Sequence, residues 1–173
     1  MSNIFITCAA EWGIKIWDKN YKYGKFLDCI FISLLVFRRP LYTFDVNSQV
    51  GDVTWAPYSS TTFAAVTIDG KVHIFDLFID RYNAVCVQAV VPKKKARLNH
   101  IAFNPTHPII IVGDSRGHIQ SLKLSPNLRK QTREVRQALL NNDKIKAGEL
   151  EVKKLDDILG QVRDQHIPNS DKD

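Results

Sequence analysis

The feature that most constrains this fold is a run of three short strand-forming segments between residues 51 and 77. The first segment stops at Pro57, which has no N–H to donate to a strand ladder. The second and third are separated by Asp69-Gly70, a dipeptide typical of a two-residue hairpin turn of the primed type, in which φ is positive. The stretch therefore predicts a three-stranded antiparallel unit. Its strands are expected at 53–56, 63–68 and 72–77.

The same pattern occurs twice more in the chain. Segment 69–76 matches segment 11–18 and, more distantly, segment 116–123, and each match follows an apolar run. The first strand also has a later counterpart at 101–105, with a proline at the place corresponding to Pro57. A fixed period of this kind is the signature of a repeat architecture.

The spacing of the copies favours a β-propeller. Phe75 and Leu122 hold equivalent positions and lie 47 residues apart, near the period of about 40 to 45 of four-stranded propeller blades. Trp17 and Phe75 lie 58 residues apart, and the surplus is assigned to residues 21–39, whose sequence does not resemble the rest. The fourth strands are predicted at 41–46 and 84–91.

One copy ends in Ile16-Trp17-Asp18, and in this ending the chain resembles the WD-repeat family. The second copy has Phe75-Asp76 in that place, and the third has lost both residues. The resemblance implies an all-β, WD40-type β-propeller, present here as its last three or so blades and therefore open, followed by a short α-helical tail. It implies structural roles within the repeats for Trp17, Asp18, Trp55, Asp69, Gly70, Phe75, Asp76, His100 and Gly117.

A closer resemblance rests on segments 50–77, 93–119 and 121–130. These are similar to the C-terminal end of the outer-arm axonemal dynein intermediate chains, and most similar to the intermediate chain 1 group. Segment 21–39 has no counterpart in that family pattern, which indicates either a lineage-specific loop or the product of altered splicing or gene prediction.

The resemblance implies a non-catalytic scaffold subunit that supports outer-arm assembly and ciliary or flagellar motility. Its expected partners are the dynein heavy chain, a second intermediate chain and, through the family's N-terminal region, light chains, with only indirect association with microtubules. The expected location is the cytoplasm, the cytoskeleton and the axoneme. A generic WD-repeat adaptor, such as a ubiquitin-ligase substrate receptor or a trafficking scaffold, is the alternative.

Three blade endings are too few to close a propeller, which needs four to eight blades. An open array leaves apolar faces and strand edges unpaired. We therefore expect residues 1–124 to be the C-terminal part of a longer propeller, with the strand over 119–124 unpaired on its outer edge.

Residues 125–173 form a charged tail in which apolar residues recur at helical spacing. A first short helix is expected to break near Asn141-Asn142. A second, amphipathic helix is predicted around 149–164, because its apolar residues follow one another at intervals of 3, 4 and 3. It either lies on its own propeller or docks on a partner subunit. The seam consists of Val152, Leu155, Leu159 and Val162.

The densest charge cluster is Lys93, Lys94, Lys95 and Arg97, expected in a loop at the propeller rim. It is interpreted either as a contact with an acidic partner or as a solvated loop whose lysines protect a strand edge. The net charge of +6 divides into +5 for residues 1–124 and +1 for residues 125–173. This charge, without interleaved aromatic residues, argues against nucleic-acid binding.

Other function classes lack their signals. The longest apolar run, residues 30–37, is too short for a membrane span, and the N-terminus does not resemble a signal peptide. Three widely spaced cysteines predict neither a disulfide framework nor a zinc site. Catalytic and phosphate-binding motifs are absent, and the five histidines lack metal-ligand spacing. We therefore expect no enzyme activity, cofactor or metal.

Overall fold

The computed structural model describes residues 3–10, 12–19, 40–90 and 96–165. Ten strands form three antiparallel sheets, and two helices follow them. The first sheet has the order β1 (Ile4–Cys8), β2 (Gly13–Asp18), β3 (Tyr42–Asp45). The middle sheet has the order β4 (Val50–Trp55), β5 (Thr62–Thr67), β6 (Lys71–Asp76), β7 (Cys86–Ala89). The last sheet has the order β10 (Ile119–Lys123), β9 (Ile109–Asp114), β8 (Leu98–Phe103).

This architecture confirms the predicted fold class. Consecutive strands are neighbours in each sheet, which is the meander of a propeller blade, and the three sheets do not close into a ring. The two predicted fourth strands are present as β3 and β7. Within the described residues, β10 pairs only with β9, so its other edge is open, as the repeat count predicted.

Burial along the strands follows the position of each sheet. In β2 and β3, buried residues alternate with more exposed ones, as expected for a sheet covered on one face. In β5 all six residues are buried. A strand buried on both faces must lie between two layers, which places the middle sheet at the centre of the array.

The β5–β6 hairpin is present, but the predicted two-residue turn is wrong. Only Gly70 has a positive φ, 84°, and its N–H donates to the carbonyl oxygen of Thr67 at 3.0 Å. The turn is therefore a longer one that ends in a left-handed glycine. Gly117, with φ of 82°, occupies the same place between β9 and β10. In the first repeat that place is held by Trp12, whose φ is 68°.

Gly51 allows the middle and last sheets to approach closely. A Cβ at this position would lie 2.1 Å from the carbonyl oxygen of Leu98 in β8. The register of β4 shifts between Val50 and Asp52, and β8 shifts at the equivalent place, between Leu98 and His100. Two equivalent bulges, one in β4 and one in β8, therefore bring neighbouring blades together.

The tail contains a 3₁₀ turn (Pro126–Arg129), α1 (Arg133–Leu140) and α2 (Lys144–Gln165). Helix α1 ends where the sequence predicted a break, and α2 begins five residues before the predicted 149. No helix in the described part of the chain combines the length and apolar character needed to cross a membrane.

Two hydrophobic clusters hold the sheets together. One joins the middle and last sheets. The other joins the first and middle sheets to α2. The division at residue 124 remains a prediction, but the core extends across it because α2 packs on strands. The second cluster includes Ile14, Ile16, Phe44, Phe63, Phe75, Leu77, Leu155, Ile158, Leu159 and Val162.

Candidate functional site

The Trp-Asp ending of the first repeat is built into its sheet. Trp17 Nε1 donates a hydrogen bond of 2.8 Å to the Thr7 hydroxyl on β1. Its ring stacks on Phe5, with 6.3 Å between centroids. Asp18, the last residue of β2, is buried. These contacts bind one strand to the next, so the pair acts in packing.

The equivalent pair in the middle sheet has the same character. Phe75 is buried and stacks on Phe63 at 4.7 Å, and Trp55 meets Phe63 edge-on at 5.4 Å. Asp76 accepts hydrogen bonds from the Thr61 hydroxyl at 2.7 Å and from the backbone N–H that follows β6 at 3.0 Å. Phe75 therefore packs the blade, and Asp76 fixes the chain where β6 ends.

A polar network surrounds the β5–β6 turn. The Thr67 hydroxyl donates to Asp69, and Lys71 Nζ lies 2.6 Å from the other carboxylate oxygen of Asp69. Burial alone would raise the pKa of Asp69, but hydrogen bonds from Lys71 and Thr67 outweigh it and hold that pKa below its ordinary value. Burial lowers the pKa of His73, whose Nε2 lies 3.5 Å from the Thr67 oxygen.

This network does not have the properties of a catalytic site. Thr67 is fully buried, so a substrate cannot reach its hydroxyl. His73 was missed by sequence reasoning because it lies within the third strand, where the repeat pattern has no histidine. The signal that identifies it is its position four residues after Asp69, on the same hairpin.

His100 does not have the internal structural role predicted for it. Its side chain is 87% exposed, and its Nδ1 lies 3.7 Å from Asp52 Oδ2. Asp52 makes the structural contacts instead, because its carboxylate accepts the N–H of Ile101 in β8 at 3.1 Å and that of Val53 at 2.8 Å. Asp52, to which the sequence analysis assigned no role, thus links two blades.

The basic cluster is only partly visible. Lys93, Lys94 and Lys95 lie outside the described residues. Arg97 is exposed, and its carbonyl oxygen accepts the N–H of Ser115 at 2.8 Å, beside the β9–β10 turn. Its contact with an acidic partner stays a prediction.

The seam of α2 packs against the chain's own strands. Leu155, Leu159 and Val162 are at most 7% exposed and belong to the cluster of the first two sheets, while Val152 is half-buried. Of the two predicted arrangements, the structure has the one in which the helix lies on its own propeller. The three buried side chains cannot contact a partner while the helix is docked, so their assignment as a partner contact is not supported. Ile158, also buried, was missed.

A buried carboxylate fixes α2 to the loop between β4 and β5. Glu151 Oε2 accepts the backbone N–H of Ser60 at 2.9 Å, and the Ser60 hydroxyl lies 2.9 Å from the same oxygen. Glu151 is 8% exposed, its Oε1 has no hydrogen-bond partner, and Lys154 Nζ lies 4.0 Å from Oε1. Sequence reasoning missed this contact, although Glu151 stands four residues before Leu155 on the apolar seam.

A cleft of about 350 Å³ separates α2 from the loop that follows β6. Arg81 donates to the side-chain oxygen of Gln161 at 2.6 Å across it, and Lys154 Nζ lies 4.7 Å above the Phe78 ring. Its lining contains neither histidine nor cysteine. In the described ranges, groups of three or more potential metal ligands are also absent. The arrangement supplies surface contacts, with no convergent set for chemistry.

Comparison with known proteins finds relatives that match most of the chain. No family model matches the sequence. The chain is 52% identical over 161 residues to "Dynein intermediate chain 2, ciliary" of Heliocidaris crassispina, covering 93% of this chain and 20% of the relative. It is 48% identical over 163 residues to "Dynein axonemal intermediate chain 1" of Bos taurus, covering 94% and 20%.

A third relative matches a shorter part of the chain. The chain is 53% identical over 92 residues to "Dynein, 78 kDa intermediate chain, flagellar outer arm" of Chlamydomonas reinhardtii, covering 53% of this chain and 13% of the relative. The chain thus spans about a fifth of the length of the first two relatives. Identity near one half along nine-tenths of the chain, together with the blades, shows that it belongs to the axonemal dynein intermediate chain family.

Proposed function

We propose that the chain forms part of a non-catalytic scaffold subunit of an outer-arm axonemal dynein. The observation that supports this proposal is that the sequence of the chain is 48 to 52% identical to those of axonemal and ciliary intermediate chains. The subunit supports assembly of the outer arm, and so ciliary or flagellar motility, by binding the heavy chain and a companion intermediate chain. Its location is the axoneme, as for relatives described as axonemal, ciliary or flagellar.

The contacts of the described residues support a role as a rigid platform. The repeat endings are used in stacking and in capping strands, and Thr67, Asp69 and His73 are used within one hairpin. A scaffold needs such preorganised surfaces, whereas an enzyme needs reactive groups around an accessible cavity. ATP hydrolysis is assigned to the heavy chain.

The alternative is a WD-repeat adaptor of a ubiquitin ligase or a trafficking coat. It has less support, because the relatives reported above are dynein intermediate chains. Both roles use the same fold, so the partners decide between them.

Co-purification from axonemes tests the proposal. The chain is tagged in its native gene, axonemes are extracted with salt, and the tagged complex is identified by mass spectrometry. We expect the dynein heavy chain and a second intermediate chain. Recovery of ligase or coat components without a heavy chain would overturn the proposal.

Two variants provide the matched controls. Phe63→Asp places a charge at a fully buried core position and should abolish recovery of the partners. Lys123→Glu changes an exposed residue on β10 and should leave recovery intact.

A further inference from the structure

The segment from the end of the 3₁₀ turn, through α1, to the first turn of α2 carries a concentrated positive charge. Residues 129–146 contain six lysines and arginines against two carboxylates, a net charge of +4 out of +6 for the whole chain. All six cationic side chains are exposed. The rest of the tail, 147–173, has four cationic and seven acidic side chains, a net charge of −3, so the total of +1 for the tail conceals this surface. The six are Arg129, Lys130, Arg133, Arg136, Lys144 and Lys146.

Exposed aliphatic side chains lie among these charges. Leu139 is 39% exposed, and Leu140 and Ile145, on the two sides of the turn, are 77% and 78% exposed. We call residues 133–146 the hairpin tip. Apolar residues surrounded by predominantly positive charges have the composition of a protein interface, with an apolar centre and a polar rim.

The hairpin tip is fixed in shape by its own backbone. Asn142 has a φ of 57°, and its N–H donates to the carbonyl oxygen of Leu139 at 3.1 Å. The N–H of Asp143 donates to the carbonyl oxygen of Ala138 at 2.9 Å, which completes a Schellman motif. The Asp143 carboxylate then accepts the N–H of Lys146 at 3.0 Å and caps α2. A surface fixed in this way loses little entropy on binding.

The start of α2 goes against helix electrostatics. Its first turn contains Lys144 and Lys146 and no acidic residue. The N-terminal end of a helix is electropositive and favours carboxylates, so two lysines there weaken the helix. The carboxylate of Asp143 accepts the backbone N–H of Lys146, so it caps the helix while the two lysine side chains stay exposed. A local rule broken in this way is expected at functional positions.

We propose that the hairpin tip binds an acidic segment of a partner protein that carries apolar side chains between its carboxylates. The occupant is identified by charge, because the four exposed cations of the tip, Arg133, Arg136, Lys144 and Lys146, favour an anionic partner, and by Leu140 and Ile145, which need apolar contacts. A membrane surface fits less well, since membrane-binding helices present a broader apolar face with aromatic residues. The identification as a protein partner rests on the proposed scaffold role.

The test measures binding of a fluorescein-labelled synthetic peptide by anisotropy with the full chain. In the peptide, glutamates surround leucines at helical spacing, and a matched peptide carries glutamine in place of glutamate. The tip variant is Arg136→Glu/Lys144→Glu/Lys146→Glu. The control variant, Arg116→Glu/Lys123→Glu/Lys153→Glu, changes three exposed cations elsewhere and shifts the net charge equally. Circular dichroism checks that both remain folded.

We expect the tip variant to weaken peptide binding at least tenfold and the control variant less than twofold. Leu140→Ser/Ile145→Ser should also weaken it about tenfold, and the glutamine peptide should not bind. Equal losses in the two charge variants, no binding to the unchanged chain, or displacement of the peptide by phosphatidylserine vesicles would each overturn the proposal. Since no dynein is present, this result is independent of whether the heavy chain co-purifies.

Discussion

The contact between Ser60 and Glu151 gives the sharpest test of how the tail helix is held. In Glu151→Ala the backbone N–H of Ser60 loses its acceptor in a buried position. A hydrogen bond to a charged group contributes about 1.5 to 3 kcal/mol, and stranding a buried donor costs about 1 to 3 kcal/mol. The substitution also removes Oε1, which makes no hydrogen bond within the described residues, and with it the 4.0 Å ion pair to Lys154, and these two effects oppose each other. We therefore expect a net destabilisation of about 2 to 3 kcal/mol.

The helix should remain docked in this variant but open more often. Four buried apolar side chains also hold α2, each contributing about 1.5 to 3 kcal/mol. A loss of about 2 to 3 kcal/mol corresponds to an open population larger by a factor of roughly 30 to 140, since about 1.4 kcal/mol is a factor of ten. Hydrogen exchange of the α2 amides should accelerate by that factor. The four side chains are Leu155, Ile158, Leu159 and Val162.

Two further variants separate the carboxylate from general effects on the helix. Glu149→Ala changes an exposed residue on the same helix and should alter stability by less than about 0.5 kcal/mol. Glu151→Gln keeps the shape and one acceptor, so it should cost about 1 kcal/mol. Urea denaturation followed by circular dichroism gives the free energies. If Glu151→Ala unfolds at the same urea concentration as Glu149→Ala, the contact does not hold the helix.

Three other predictions follow from the backbone and from burial. Gly51→Ala should destabilise by about 3 kcal/mol in urea denaturation, because its Cβ meets a backbone oxygen, whereas Gly148→Ala, in open space, should stabilise by about 1 kcal/mol. Trp12→Gly should stabilise by about 1 kcal/mol on the same assay, despite the lost aromatic ring, because φ at this position is 68°. The pKa of His73 in the folded protein is below 6.5 because the side chain is buried. Its contribution to the free energy of unfolding is therefore fully present above pH 6.5 and is lost as the pH falls through the folded pKa. His73→Gln should flatten the dependence of stability on pH in that window. A slope that remains unchanged would exclude His73 as its source.

The strands could be predicted because their signals are local. A short run of strand-forming residues, a proline at a strand end and Asp69-Gly70 at a turn all lie within a few residues of the element that they define. The turn type was wrong because the sequence does not show which residue of a favourable pair takes the positive φ. The same reasoning predicted structural roles for Phe75 and Asp76; in the structure Phe75 stacks on Phe63 and Asp76 accepts a hydrogen bond from the Thr61 hydroxyl.

Contacts between distant segments could not be predicted. Gly51 is needed for its contact with Leu98, and Ser60 and Glu151 lie 91 residues apart in the chain. A single sequence contains no sign that such residues meet, since each belongs to a different repeat or element. His100 was assigned by its place in the pattern, but the close approach of two bulges puts Asp52 between the blades and leaves His100 in solvent.

The two ends of the tail hairpin have different roles for a physical reason. From Glu151 onward, α2 presents an apolar seam to the sheets, and burial of that seam fixes the helix. The turn before α2 is shaped by its own caps and is flanked by exposed cations. Ile145 lies six residues before Glu151, about 9 Å along the axis at 1.5 Å per residue, a separation at which mutational effects become additive. The chain can therefore anchor its tail in the propeller core and still present a rigid basic surface to a partner, and neither role requires the other to change.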